Sequence, residues 1–316
     1  MIEGGGLGIY KASDIGPSTV QELNGVIDIL VQDEQEGVQM AQKYLSYFQG
    51  CVEHYLCADQ RLLRNCVPEN RLRVYDMKNI INVLVDTNSA LYLRPKFGIG
   101  IFTALARFAG RPIGIIANNP THLGGAIDCD SALKAARFIE LCDGFDLPIL
   151  SLIDCPGFMV GPDSEKDAAV RKFGKMFVVA SSISVPFMSV VIRKAYGLGA
   201  QAMAGGQLMG HEQFTISWPT GEFGGMGLEG AVKLGYKKEL QAAFEKGGVA
   251  EEKKEFDLRV AHAYENGKAL RNMSELDDVV DPAETRKWIL MALDSNPPLP
   301  MRRKDGKKKR SVISTW

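Results

Sequence analysis

Four glycine-rich loops hold the positions at which this chain could do chemistry. The first is Asn118-Asn119-Pro120-Thr121-His122-Leu123-Gly124-Gly125-Ala126-Ile127-Asp128, set between an apolar run and a helix that begins near Asp130. Without a Cβ, Gly124 and Gly125 let the backbone turn successive N–H groups toward one point, and the helix N-terminus adds positive potential. Main-chain donors arranged in that way form an oxyanion hole. The same residues serve equally well as a tight strand-to-helix turn with Asp128 or Asp130 as N-cap. The second loop runs from Asp154 to Pro162 and mixes two Pro-containing turns with apolar side chains that could cover a ligand. Asp154 could act as a base, but a carboxylate at a strand end more often bonds a neighbouring backbone amide, and that structural role is the expectation. The third loop, Arg193 to Ala200, puts small residues at a helix start. The fourth follows Trp218-Pro219-Thr220 with Gly221, Gly224, Gly225, Gly227 and Gly230 around Met226, and helix packing alone could demand those glycines.

Other chemistries lack their residues. The sequence has no G-x-S-x-G elbow, no phosphate loop ending in G-K-[ST], no H-E-x-x-H and only four histidines, which argues against a hydrolase triad or a kinase. Cys51, His54, Cys57 and Cys66 suit zinc poorly, because Cys66 is isolated and the stretch from Met40 to Leu63 reads as helical. No metal site is expected.

These loops need a scaffold. From Gly110 onward, apolar runs at Ile113–Ala117, Pro148–Ile153, Val185–Ile192 and Phe214–Trp218 alternate with helical stretches near Asp130–Cys142, Glu165–Ser181 and Gly199–Gly205. That alternation predicts an α/β core with ligands beyond the strand carboxyl ends. Upstream, a glycine-rich start, the turn Gly16-Pro17, the apolar run Val26–Val31 and an amphipathic helix ending near Tyr47 lead to a polar connection and a short helix at Met77–Val85. Residues 1–98 are therefore expected to form an adaptor with a helical arm, and residues 99–316 the α/β domain with charged C-terminal helices and a basic tail, Arg302–Arg310.

Lys plus Arg (37) nearly balances Asp plus Glu (38) over 316 residues, so the charge makes no case for a nucleic-acid or membrane partner. No run approaches the roughly eighteen apolar residues of a membrane helix. Six cysteines without a secreted framework, and an N-terminus lacking a signal sequence, make the cytoplasm the expected location.

The motifs NNPTHLGGAID, ARFIELCDGFDLPIL, DCPGFMVG, RKAYGLGAQAM and WPTGEFGGMGLEGAV occur in that order between Gly110 and Tyr236. Upstream stand GGGLGIY, DIGP, KYLSYFQG and VPENRLRVYD. Together they resemble the C-terminal domain of the carboxyltransferase subunits of biotin-dependent propionyl-CoA, acetyl-CoA and methylcrotonyl-CoA carboxylases, over nearly the whole chain. The resemblance implies a crotonase/ClpP-like fold, ββα units stacked in a superhelix, of which a full subunit carries two. It implies that an N-terminal half binds the acyl-CoA, that this half ends about where Met1 begins, and that the C-terminal domain of a facing subunit receives biotin.

Transferred by motif, the N–H groups of Gly125 and Ala126 would hold the biotin ureido oxygen. Asp128 would line the acyl pocket and bear on acyl-chain choice. Gly124, Phe158, Tyr196, Gly197, Met226 and Gly227 would complete the substrate-binding surface, with Lys194 in the loop near the biotin entrance. Carboxybiotin would then supply CO2 and take the α-proton of the thioester, with backbone donors in place of a titratable base. Implied partners are an acyl-CoA, a biotin carboxyl carrier protein, biotin carboxylase, the CoA-binding half, and further subunits in a homo- or hetero-oligomer. Two alternatives stay open: a non-catalytic remnant or assembly module, and a subunit of a biotin-dependent decarboxylase coupled to a membrane pump.

Overall fold

Runs of Ile, Leu and Val buried on both faces build one mixed sheet, as strands covered by helices on both sides require. The computed structural model describes residues 2–206, 214–296 and 313–314. Its strands are β1 (Leu91–Leu93), β2 (Ile101–Phe108), β3 (Arg111–Asn118), β4 (Ile149–Cys155), β5 (Phe187–Tyr196), β6 (Phe214–Ser217), β7 (Glu222–Gly224) and β8 (Asp278–Val279). The spatial order is β1-β2-β3-β4-β5-β6-β8, with β7 paired to the end of β5. Pairing is antiparallel from β1 to β3 and parallel from β3 onward. The helices are α1 (Ser18–Leu23), α2 (Glu34–Ser46), α3 (Met77–Leu84), α4 (Cys129–Gly144), α5 (Pro162–Lys166), α6 (Ala169–Ala180), α7 (Gly197–Met203), α8 (Leu228–Gly235), α9 (Lys237–Gly267) and α10 (Thr285–Ser295).

The hairpin β2–β3 followed by α4 is one ββα unit, and β6–β7–α8 repeats the order. Period-two alternation splits the strand side chains between two cores. Ile116, Ile149, Ile153 and Val191 face α4, α6 and α7, meeting Ala132, Ile139, Phe173, Met176 and Ala200. Ile115, Leu150, Val190 and Ile192 face α3 and α10, meeting Ile80, Leu84, Ile289 and Leu293. The sheet thus lies between helix layers and its loop edge is held from both sides.

Three expectations need correction. The helix anticipated over Met40–Leu63 stops at Ser46, because Gly50 adopts φ +94° and Val52 turns to donate to the Gly110 carbonyl at 3.1 Å; Cys51 and Cys57 therefore sit on irregular, exposed backbone rather than on a helix. The helix anticipated over Glu165–Ser181 is two helices, α5 and α6, parted by Ala168 in the left-handed region at φ +56°. The α/β pattern also begins before Gly110, with β1 and β2. Strand β2 escapes a pattern search because it buries Arg107, whose guanidinium donates to the carbonyls of Ser46, Gly50 and Gly110 at 2.7–3.0 Å. The basic tail Arg302–Arg310 lies outside the described residues.

Lys134 of α4 reports on the interior. It is 2% exposed, donates to the Gly98 carbonyl at 3.3 Å, and burial, reinforced by Arg94, pushes its amine down to about 7. A base so lowered from 10.5 binds fewer protons folded than unfolded between those values, so its contribution makes stability rise with pH from about 7 toward 10.5 and is most unfavourable below 7. The urea midpoint of the wild type is expected to gain more between about pH 7 and pH 9 than that of Lys134→Met, and equal gains would refute the assignment.

Candidate functional site

Strands β3, β4 and β5 run parallel, so the loops that leave them gather on one edge of the sheet. The first loop closes a 3-10 turn at Leu123–Gly125. Gly125 takes φ +95°, and a Cβ on it would stand 2.2 Å from the Asp154 carbonyl oxygen. Two facts therefore demand glycine here, a left-handed backbone and a strand end pressed against it. The Gly125 and Ala126 amides do not stand free: they donate within the turn, to His122 at 2.9 Å and Leu123 at 3.2 Å. Asp128 caps α4, its Oδ1 accepting from the Ser131 amide at 2.8 Å, while Oδ2 meets His122 Nε2 at 3.1 Å.

The carbonyls of the turn are held from behind. Asn118, fully buried at the end of β3, donates through Nδ2 to the Gly125 carbonyl at 3.1 Å and accepts the Asp154 amide at 3.2 Å. Lys194 Nζ donates to the Gly124 carbonyl and lies 3.6 Å from Asp154 Oδ1. The second loop is stitched to the first by a parallel bridge between Ile127 and Phe158, with Ile127 donating to Gly157 at 3.1 Å and Met159 to Ile127 at 2.9 Å. Phe158 stacks on Phe173 with ring centres 4.3 Å apart, so one face of its ring is committed to α6.

Asp154 is the charged hub. Fully buried, it pairs with Arg193 Nη2 at 2.9 Å and accepts the Lys194 amide at 3.1 Å, which agrees with a structural role. The Arg193 guanidinium continues to the carbonyls of Arg71 at 3.1 Å and Arg73 at 2.7 Å, and lies over the Tyr75 ring at 4.9 Å. Beside it, Tyr196 donates to Glu222, whose carboxylate is 3.7 Å from Arg71. Burial raises both the Tyr196 phenol and the Glu222 carboxyl above their ordinary values; for Glu222 the Tyr196 hydrogen bond and the Arg71 charge oppose that. Burial also pushes the Cys155 thiol up to about 12, which removes it as a nucleophile near neutrality.

Gly197 has φ +56° and a Cβ there would stand 2.7 Å from the Gly225 carbonyl, so the third and fourth loops touch. Met226 is half exposed and Gly227 is the N-cap position of α8. The structure thus brings Gly124, Gly125 and Ala126 together with Lys194, and Tyr196 and Gly197 together with Gly224 and Gly225. Sequence reasoning missed Asn118, Arg193, Arg71 and Glu222 as supports. The available signal was polarity: an Asn pair and an Arg-Lys pair, each ending an apolar strand. Among the described residues no cluster of three or more His, Cys, Asp or Glu is placed to share a metal ion, and no helix is long and apolar enough to cross a membrane.

The match to the carboxyl transferase domain runs over residues 8–313, and the chain belongs to that family. The biotin-dependent acetyl-/propionyl-coenzyme A carboxylase beta5 subunit of Mycobacterium leprae is 31% identical over 298 residues, covering 88% of this chain and 53% of that protein. A single-chain, multi-domain long-chain acyl-CoA carboxylase of known structure is 52% identical with a TM-score of 0.86, over 92% of this chain and 28% of the other. The transcarboxylase 12S crystal structure, a hexamer with methylmalonyl-coenzyme A bound, superposes with a TM-score of 0.80 at 27% identity over 97% of this chain and 60% of that one. The fold is therefore the crotonase-like one that the motifs implied, and the chain spans about half the length of its curated relatives.

Proposed function

We propose that this chain forms the biotin-facing part of an acyl-CoA carboxyltransferase and works against a CoA-binding half to carboxylate the α-carbon of an acyl thioester. The observation that carries the reading is the Gly124–Ala126 turn, whose two carbonyls are fixed by Lys194 and Asn118. The residues fit biotin: the Gly125 backbone is pressed against β4, where a Cβ would meet the Asp154 carbonyl at 2.2 Å, so the turn is rigid, while Cβ atoms at Gly157, Gly225 and Gly227 would meet nothing within 4 Å, leaving the backbone there open to a ligand. When bound, carboxybiotin supplies CO2 and, at its ureido nitrogen, the base. Gly125 and Ala126 would share their amides between the turn carbonyls and the ureido oxygen, in the three-centre manner common at helix ends, and would stabilise negative charge there. Asp128 caps α4 with one oxygen and bonds His122 with the other, which ties the turn to the helix start.

The 52% identity to a long-chain acyl-CoA carboxylase supports a long acyl chain on the substrate, and the hexameric 12S relative supports an oligomer. The biotin dependence named for such a relative supports a reading in which carboxybiotin arrives on a carrier protein charged by a biotin carboxylase. The test is reconstitution: the chain is mixed with a CoA-binding half, biotinylated carrier, biotin carboxylase, ATP and bicarbonate, over acetyl-, propionyl- and palmitoyl-CoA. Labelled bicarbonate is expected to enter the long acyl-CoA fastest. A correctly assembled mixture that carboxylates none of the three would favour an assembly module instead.

A further inference from the structure

We infer that Lys194 and Asn118 are positioning residues that aim and polarise the Gly125 and Ala126 amides, an inference that rests on the assignment of those amides to the ureido oxygen. A peptide unit is planar, so the carbonyl of one residue and the N–H of the next point in opposite directions from one rigid plate. The Gly124 carbonyl shares its plate with the Gly125 N–H, and the Gly125 carbonyl shares its plate with the Ala126 N–H. Lys194 Nζ grips the first carbonyl and Asn118 Nδ2 the second, at 3.1 Å. Both proposed donors are therefore set by a side chain bound to the far end of their own peptide.

The grip also changes their strength. A donor on a carbonyl oxygen draws electron density through the amide and makes the attached N–H a better donor, and a charged donor does so most. Neither side chain is free to drift. Lys194 is anchored at its backbone, where its N–H donates to Asp154 at 3.1 Å, and at its tip, 3.6 Å from the same carboxylate. Asn118 is fixed through its oxygen, which accepts the Asp154 amide at 3.2 Å. Asp154 thus supports both grips, and its single negative charge faces two cations, Arg193 and Lys194. Residues that strengthen a donor only as charge appears on its acceptor act on the transition state more than on the bound substrate.

The test uses the reconstituted enzyme with Lys194→Met, which keeps the apolar stem and removes the cation, and Lys194→Arg, which restores it. Lys194→Met is expected to lower kcat by about tenfold or more, less than removal of a whole donor, with KM for acyl-CoA unchanged. Lys194→Arg is expected to recover most of the loss, which a merely structural contact would not require. Independently of turnover, the chain labelled with 15N-glycine is expected to show the Gly125 amide proton shifting upfield in Lys194→Met. A wild-type kcat in Lys194→Met overturns the inference, and so does an unmoved Gly125 resonance. If the wild-type mixture itself transfers no CO2, the function proposed above falls while the resonance still decides this inference.

Discussion

Gly125→Val is expected to cut carboxyl transfer a hundredfold or more in the reconstituted enzyme. The first Cβ atom already stands 2.2 Å from the Asp154 carbonyl oxygen, well inside contact distance, and the backbone sits at φ +95°, where a β-branched residue is a severe outlier. Relief would require the turn to swing away from β4, carrying the Gly125 and Ala126 amides off target, and loss of one such donor costs on the order of a hundredfold to a thousandfold. Gly125→Ala should fail nearly as badly, because the clash involves Cβ itself. Gly174→Ala in α6 is the matched control: its Cβ would meet nothing within 4 Å, and the exchange of Gly for Ala inside a helix is stabilising by about 0.5–1 kcal/mol. The measurement is initial rate against labelled bicarbonate, with circular dichroism to confirm folding. A folded Gly125→Val protein working at the wild-type rate would remove this turn from the mechanism.

Arg193→Met is expected to destabilise the fold by about 3–5 kcal/mol, the usual consequence of stranding one partner of a buried ion pair. Asp154 is wholly buried, and without Arg193 its nearest cation is Lys194 at 3.6 Å. The carbonyls of Arg71 and Arg73 lose their donor at the same time. Urea unfolding of wild type, Arg193→Met, Asp154→Asn and the double variant forms a cycle that isolates the pair from the rest. The double variant should recover part of what Arg193→Met loses, since neutralising Asp154 removes the stranded charge. Strict additivity would show that the carbonyl bonds, and not the ion pair, carry the effect.

The loops were legible in the sequence because their signals are local. Glycine and proline end apolar runs within a few residues of where strands β3, β4, β5 and β6 end, and Met77–Val85 matches α3 to one residue. The supports were not legible because they bridge distance: Asn118 meets Asp154 36 residues on, and Arg193 meets Arg71 122 residues back. No window of spacing contains both partners. The internal bonding of the Gly125 and Ala126 amides was equally out of reach, since two glycines permit a turn without stating which carbonyls close it. The arm helix was legible to within a residue, ending at Ser46 against the expected Tyr47, whereas the helical reading of Met40–Leu63 failed because the docking of Val52 on Gly110 pulls the backbone out of the helix. Strand β2 was hidden by Arg107, whose buried charge is answered by three carbonyls, two from the end of the arm at Ser46 and Gly50 and one from its own hairpin turn at Gly110.

Strand β5 is bonded along one side to β4 and along the other to β6 and then β7 in tandem. Its amides can be released to solvent only when neighbours on both sides open, so in hydrogen–deuterium exchange Val190 to Ala195 should be among the last groups to take up label. Lys194 and Tyr196 grow from the end of that strand. The turn proposed to receive the ligand is thereby steadied from a strand expected to open late, and its geometry is inherited from the middle of the sheet rather than from the surface.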